Sequence, residues 1–295
     1  QVHRRAAAHP LPVLAHNRPP EHILPEGTPC PFLAEIGAMT PEGRVRAAQQ
    51  HKCRQINRYL EFVRDIASDL PEEGRLEVVD CGCGKSGLTF ALHHFLTQTC
   101  GREVRIMGLD RNAEVLTTCR DIAGRLGLAG IEFQPGDIAA FDPSGPVHLV
   151  VSLHACDTAT DAALAQAIRW QADVIFAVPC CQHELAPQLR SEALEGLLAY
   201  GLLRERLAAD VTDALRAAYL EMAGYRAQVV EFIDLEHTPK NLLLRGVRRR
   251  TAAPQAEQRA RERAGELMRL LSVESFALQR ELAEYLASRR DAAAG

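Results

Sequence analysis

Aromatic residues, lysines and long apolar runs are all scarce in this chain. Only 5% of its 295 residues are Phe, Trp or Tyr, and there is a single Trp. The formal net charge is −4, so the chain as a whole is no polycation and any nucleic-acid contact must be local. Lysine is confined to Lys52, Lys85 and Lys240, and arginine supplies the remaining basic groups. The richness in arginine and alanine fits a GC-rich bacterial genome. No run of about 18 apolar residues occurs, which excludes a simple membrane-spanning helix. Residues 1–16 lack the apolar core of a signal peptide. The nine cysteines are odd in number and lie on or beside predicted core strands, so no small-domain disulfide framework is visible. Reduced thiols in a cytoplasmic protein are expected. The chain opens on Gln1 rather than Met, and an upstream region is expected.

What is present is an α/β pattern. At this length the chain fits one large domain with appendages, and 47% hydrophobic with 24% charged residues is ordinary for a globular protein. Residues 1–40 are proline-rich and read as an irregular arm. Residues 41–70 read as a helical lead-in, with Thr40 as N-cap, Pro41 at the first position and Ile56, Leu60, Val63 and Ala67 at helical spacing. Residues 71–250 alternate strands with helices near 89–99, 112–126, 158–170, 185–200 and 207–226, which predicts a parallel sheet covered on both faces. Two β-rich runs, Gln228–Leu235 and Asn241–Val247, flank the turn HTPKN and predict a closing antiparallel hairpin. Residues 251–295 predict two helices broken near Ser272.

The segment LEVVDCGCGKSGLTFAL, Leu76 to Leu92, carries most of the functional signal. A β-prone stretch runs into Asp80, then Gly82, Gly84 and Gly87, then an apolar helical pattern. This strand, glycine turn and helix N-terminus cradles nucleotide-like cofactors. NAD satisfies G-x-G-x-x-G, with Asp110 near the spacing that holds a ribose. A phosphate-binding P-loop is suggested by Gly84, Lys85 and Ser86, but the glycine it requires is Val79 here. S-adenosylmethionine suits Asp80, two positions before the first glycine, where an acid can hold the cationic methionine end. Later strands end in Asp110 (with Arg111 beside it), Asp137 (with Ile138 beside it), and a run holding Ser152, His154, Cys156 and Asp157. A fifth ends at Cys180, Cys181 and His183. Strand ends of an open parallel sheet face the ligand crevice.

DCGCGKSGLTFAL, VVSLHACDTATDAAL, VPCCQHEL and EHTPKNLLLRGVR together resemble the bacterial class I methyltransferases of the methyltransferase domain 32 type. Their eukaryotic relatives include methyltransferase-like 25 proteins. The resemblance runs from about Asn17 to about Arg248. It implies a Rossmann-like class I methyltransferase fold: a seven-stranded, mostly parallel sheet with a terminal antiparallel hairpin and helical additions at both ends. It also implies S-adenosylmethionine as cofactor. Asp80, Gly82, Gly84, Gly87, Asp110, Arg111, Asp137, Ile138, Ser152 and His154 are the implied cofactor contacts, with Asp110 on the ribose and Asp137 near the adenine. The Cys-Cys-x-His stretch also resembles the strand-end signature of a eukaryotic tRNA ribose methyltransferase.

Four roles are open to His154, Asp157, Cys180, Cys181 and His183. A histidine, titrating near neutrality, could take the acceptor's proton during methyl transfer. Cys180 or Cys181 could be the thiolate that pyrimidine C5 methylation needs. Histidine, cysteine and aspartate suit a metal, although Cys-Cys-x-His is not a usual metal spacing and none is assigned. Small cysteines could also simply pack, the reading favoured for Cys53, Cys81, Cys83, Cys100 and Cys119. Glu236, His237, Lys240 and Asn241 in the hairpin turn could line the acceptor entrance. Basic residues crowd two regions: Arg44, Arg46, Lys52, Arg54, Arg58 and Arg64, and then Arg245, Arg248, Arg249 and Arg250. Such clusters can neutralise phosphates, so the expected acceptor is RNA, at N or O. A small molecule, a protein side chain, or an idle binding module on the same fold are the alternatives.

Overall fold

The computed structural model describes residues 22–153, 155–232 and 242–294. Strands β1 (Leu76–Cys81), β2 (Val104–Asp110), β3 (Ile131–Pro135), β4 (Leu149–Ser152) and β5 (Val174–Ala177) are parallel. β6 (Tyr225–Glu231) and β7 (Leu242–Arg248) close the sheet as an antiparallel pair. The seven-stranded order is β3-β2-β1-β4-β5-β7-β6. The order in which strands are added reverses between β1 and β4, and that switch point is where an open α/β sheet holds its ligand. The result is a Rossmann-like sheet, with mostly parallel strands and an antiparallel end.

The helices are α1 (Pro31–Glu35), α2 (Gln50–Asp65), α3 (Gly87–His94), α4 (Ala113–Arg125), α5 (Thr158–Arg169), α6 (Glu195–Leu198), α7 (Gly201–Met222), α8 (Pro254–Leu270), α9 (Ala277–Glu281) and α10 (Ala283–Ala294). Strand alternation divides them between two cores. Leu76 and Val78 of β1 face α1–α4. Val79 and Cys81 face α5 and α7–α10. The period-2 pattern places Asp80 with Leu76 and Val78, under α3 rather than α5.

Two sequence expectations shift. The lead-in helix begins at Gln50, not after Thr40. Residues 39–45 instead close a loop, in which Met39 bridges Val45 and the Gly43 N–H donates to the Thr40 carbonyl. Gly43 sits at φ +91° with its Cα packed so close to Thr28 that a Cβ would meet that backbone at 2.8 Å. Helix is also absent over most of 185–200, where Leu185 and Leu189 are buried without it. There Gln188 bonds the Ser275 carbonyl, and Arg190 N–H bonds the Leu271 carbonyl, so tertiary partners replace a helical ladder. The tail breaks as expected, with Ser272 left-handed at φ +53° between α8 and α9.

Gly130, in the turn into β3, is at φ +77°, and a Cβ there would lie 2.2 Å from the Val104 carbonyl oxygen. Gly130→Ala is expected to cost about 1–3 kcal/mol through overpacking and left-handed strain. A denaturant midpoint unchanged from the parent would show that the turn gives way instead.

Candidate functional site

The glycine turn is held open by its own backbone. Gly82 and Gly84 are left-handed at φ +74° and +51°, and Ser86 follows at φ +55°. The Gly82 and Cys83 N–H groups donate to the Leu109 carbonyl, and the Gly84 N–H donates to Asp110 Oδ2 at 2.9 Å. Asp110 Oδ1 accepts from the Asn112 N–H, also at 2.9 Å. Asp110 thus ties the turn after β1 to the end of β2.

No side chain caps the N-terminus of α3. Its first-turn amides and the positive end of its dipole are left for an anion. Lys52 on α2 brings a cation to the same place: its Cε lies 3.5 Å from where a Cβ on Gly87 would be. Lys52 was legible in the sequence only as one member of a basic run, because its reach to the turn depends on how α2 packs on α3.

Asp80 is 3% exposed, and the Thr89 hydroxyl donates to its Oδ2 at 2.6 Å. Burial pushes its carboxyl up from 3.8 to about 7; the Thr89 hydrogen bond lowers it and the nearby Asp110 raises it. A buried acid in that state gains from a cationic ligand. Asp137, half-exposed, lies just after β3. Its Oδ1 caps the single turn Ile138–Ala140 through the Ala139 N–H, and Arg111 donates to its Oδ2 at 2.6 Å. The Ala139 amide first, and then the Arg111 guanidinium, hold its carboxyl below the usual range. Ser152 ends β4 buried, with its Oγ lacking a hydrogen-bond partner among the described residues. An uncapped helix end beside a lysine, a neutralised buried acid and an orphaned hydroxyl suit a zwitterionic ligand bearing a carboxylate and an ammonium. S-adenosylmethionine is such a ligand.

The second half of the site lies at the ends of β4 and β5. Cys156 Sγ is 2.7 Å from Cys180 Sγ, which is 3.4 Å from Cys181 Sγ. Asp157 joins the two segments: its N–H donates to the Cys181 carbonyl at 3.1 Å, and its Oδ1 accepts from the His183 N–H at 3.0 Å. It does so at φ +52°, a strained conformation for a residue other than glycine. His183 is exposed, with Nδ1 3.7 Å from Glu205. The Cys180 thiol is pushed up to about 12 by burial, reinforced by Cys156 and Cys181. Cys156 is lowered by the Cys180 hydrogen bond, but burial and Cys181 outweigh it and raise the thiol. His154 and the turn residues Glu236, His237, Lys240 and Asn241 lie outside the described residues. Of the cysteines read as packing residues, Cys53, Cys81, Cys83 and Cys119 are buried and Cys100 is exposed.

Beneath these segments is a charge network that the sequence reading missed. Arg216 on α7 is completely buried. Its Nε and Nη2 grip both oxygens of Asp161, at 2.9 and 2.6 Å, and its Nη1 reaches Asp213 Oδ1 at 3.0 Å. Nη2 also donates to the Asp157 carbonyl at 2.9 Å, and Asp213 Oδ2 accepts from Gln182 at 2.8 Å. One guanidinium therefore fixes both strand-end segments. The only signal was an acid and an arginine three apart on the otherwise apolar face of a helix.

The second basic cluster ends away from the crevice. β7 runs antiparallel, with Leu244 opposite Ala177 and Val247 opposite Val174. Arg248, Arg249 and Arg250 therefore emerge at the edge of the sheet opposite the crevice. Arg248 pairs with Asp173 at 2.5 Å, and Arg245 bonds Gln228 on the neighbouring strand.

Residues 51–188 match the family profile described as a methyltransferase domain, the methyltransferase domain 32 type. No protein of curated function matches the sequence. Among solved structures, a magnesium protoporphyrin IX methyltransferase from Synechocystis PCC 6803 with bound S-adenosylmethionine is 17% identical, over 74% of this chain and 90% of its own, at a TM-score of 0.45. A putative class I S-adenosylmethionine-dependent methyltransferase from Listeria monocytogenes is 12% identical over 75% and 67% of the two chains, at 0.46. An rRNA methylase from Streptococcus thermophilus is 13% identical over 64% and 96%, at 0.43.

Two outcomes are expected. A carboxyl raised to about 7 in the folded chain stabilises it at acid pH, and loses that contribution as pH rises towards 7. A bound ammonium favours the ionised form, so S-adenosylmethionine binding below pH 7 should release a proton. Affinity should then fall by up to about tenfold per pH unit below 7. Calorimetry in buffers of different ionisation enthalpy measures this; Asp80→Asn should bind weakly with no pH slope, and an equal slope in that variant would discard the assignment. Arg216→Met leaves two buried acids uncompensated and is expected to cost about 3–5 kcal/mol of unfolding free energy. A loss below about 1 kcal/mol would place the network among neutral contacts.

Proposed function

We propose that this chain, an S-adenosylmethionine-dependent methyltransferase whose residues 51–188 are of the methyltransferase domain 32 type, methylates a nitrogen or oxygen of cytoplasmic tRNA or rRNA. The bound cofactor supplies a methyl group on a cationic sulfur, already strongly electrophilic. The protein's task is then to align an attacking atom and manage its proton. Lys52 and the α3 N-terminus would hold the carboxylate end of the cofactor, Asp80 the ammonium end and Asp110 the ribose. His183, beside Glu205, would take the acceptor's proton. A thiol raised to about 12 at Cys180 disfavours the thiolate attack that C5 methylation requires.

The observation that carries the RNA reading is the position of the first basic run. Arg44, Arg46 and Arg54 are exposed on the lead-in to α2 and on its first turns, the end of that helix at which Lys52 reaches the glycine turn. Cations at a crevice mouth can track a phosphate backbone towards it. Tyr200, 66% exposed at the start of α7, would offer a base a stacking face.

Labelled methyl transfer into fractionated cellular RNA tests the reading. Uptake into tRNA or rRNA is expected. Replacing Arg44, Arg46 and Arg54 with Gln should weaken RNA binding across sequences and reduce the salt slope by about one per charge, while cofactor affinity holds. Uptake into protein or small molecules but not RNA would overturn the acceptor and leave the transferase standing.

A further inference from the structure

The three thiols at the strand ends do more than the transfer reaction asks of them. Cys156, Cys180 and Cys181 bring their sulfurs within 4.8 Å of one another. They come from two different strand ends, so the cluster is a product of the fold and not of local sequence. Cys156 and Cys180 are exposed and Cys181 is half-buried, so an ion can reach all three. The two segments are locked in register by the Asp157 hydrogen bonds to Cys181 and His183, and by Arg216 from below through Asp157 and Gln182. The left-handed Asp157 shows that the register is held against local preference. Strain of this kind collects where geometry serves function.

We infer that Cys156, Cys180 and Cys181 form a site for one thiophilic cation, Zn2+ first. Three thiolates around zinc, with sulfurs about 2.3 Å from the ion, need sulfur–sulfur edges near 4 Å. The observed edges of 2.7 and 3.4 Å open to that with small side-chain rotations at exposed positions. Each thiol gives up its proton to solvent as the ion binds, and the ion's charge replaces the mutual repulsion of the thiolates. A disulfide between Cys156 and Cys180 would use two of the thiols and leave Cys181 without a role, whereas a cation uses all three.

Cobalt titration of the reduced full chain tests this. One equivalent of Co2+ should produce a thiolate-to-cobalt charge-transfer band, which Zn2+ then bleaches by displacement. Cys180→Ser and Cys156→Ser should each weaken binding by more than the roughly 10–100-fold that loss of an outer hydrogen-bond partner costs, and Cys100→Ser should bind like the parent. Circular dichroism on each variant identifies those that have kept their fold, and only these count. No charge-transfer band from the reduced parent would overturn the site. So would binding unchanged in both folded serine variants, or loss of two hydrogens by mass on mild oxidation in a chain that takes no Co2+. The last of these would assign the thiols to a disulfide.

Discussion

A single arginine without solvent contact organises the strand ends after β4 and β5. Arg216 lies between Asp161 and Asp213 at the interface of α5 and α7, and spends its remaining donor on the backbone of Asp157. Burying three charges is costly, and such a cluster survives only where each donor and acceptor is matched. Here the matching joins elements far apart in sequence. Asp161 opens α5 after β4, Asp213 carries Gln182 after β5, and both loops inherit their positions from one guanidinium. The C-terminal helices complete the support. Arg280 and the Ala277 N–H bond the carboxylate of Glu184, next to His183. The tail therefore buttresses the loop that carries the thiols.

The cofactor half rests on a different principle. Its parts are almost all local: a strand, two left-handed glycines, an uncapped helix and an acid at the end of the next strand. Such a cradle follows from chain stereochemistry, because only glycine takes those backbone angles at low cost. What is added from afar is Lys52, carried across by α2, and the burial that shifts Asp80. The lead-in is well anchored for that task. Asn57 accepts the Leu24 N–H, and Arg125 of α4 pairs with Glu35 at the end of α1. Phe32 packs against His94, so the segment before α2 belongs to the same core as α3.

Charge placement separates the two basic runs, which look alike as sequence. Strand direction decides between them. Antiparallel β7 carries Arg248–Arg250 to the edge opposite the crevice, where Asp173 and the Tyr225 carbonyl engage them. The run at 44–54 stays at the crevice end because the register of α2 on α3 brings Lys52 there.

By itself the sequence determined the strand–glycine–helix unit, the acid at the end of β2, the alternation of elements and the closing hairpin. Each is a local rule: period-2 apolarity, glycine at positive φ, proline and glycine at boundaries. The tertiary structure decided the rest. It set the start of α2 at Gln50, since Gly43 packs against the backbone of Thr28, and it kept residues 185–191 out of a helix by giving them partners in the tail. It also gathered Cys156 with Cys180 and Cys181, and buried Arg216 against Asp161, 55 positions away. Contacts at such separations depend on which strand lies beside which. That choice is made by packing two cores on one sheet, and no window of the sequence contains it.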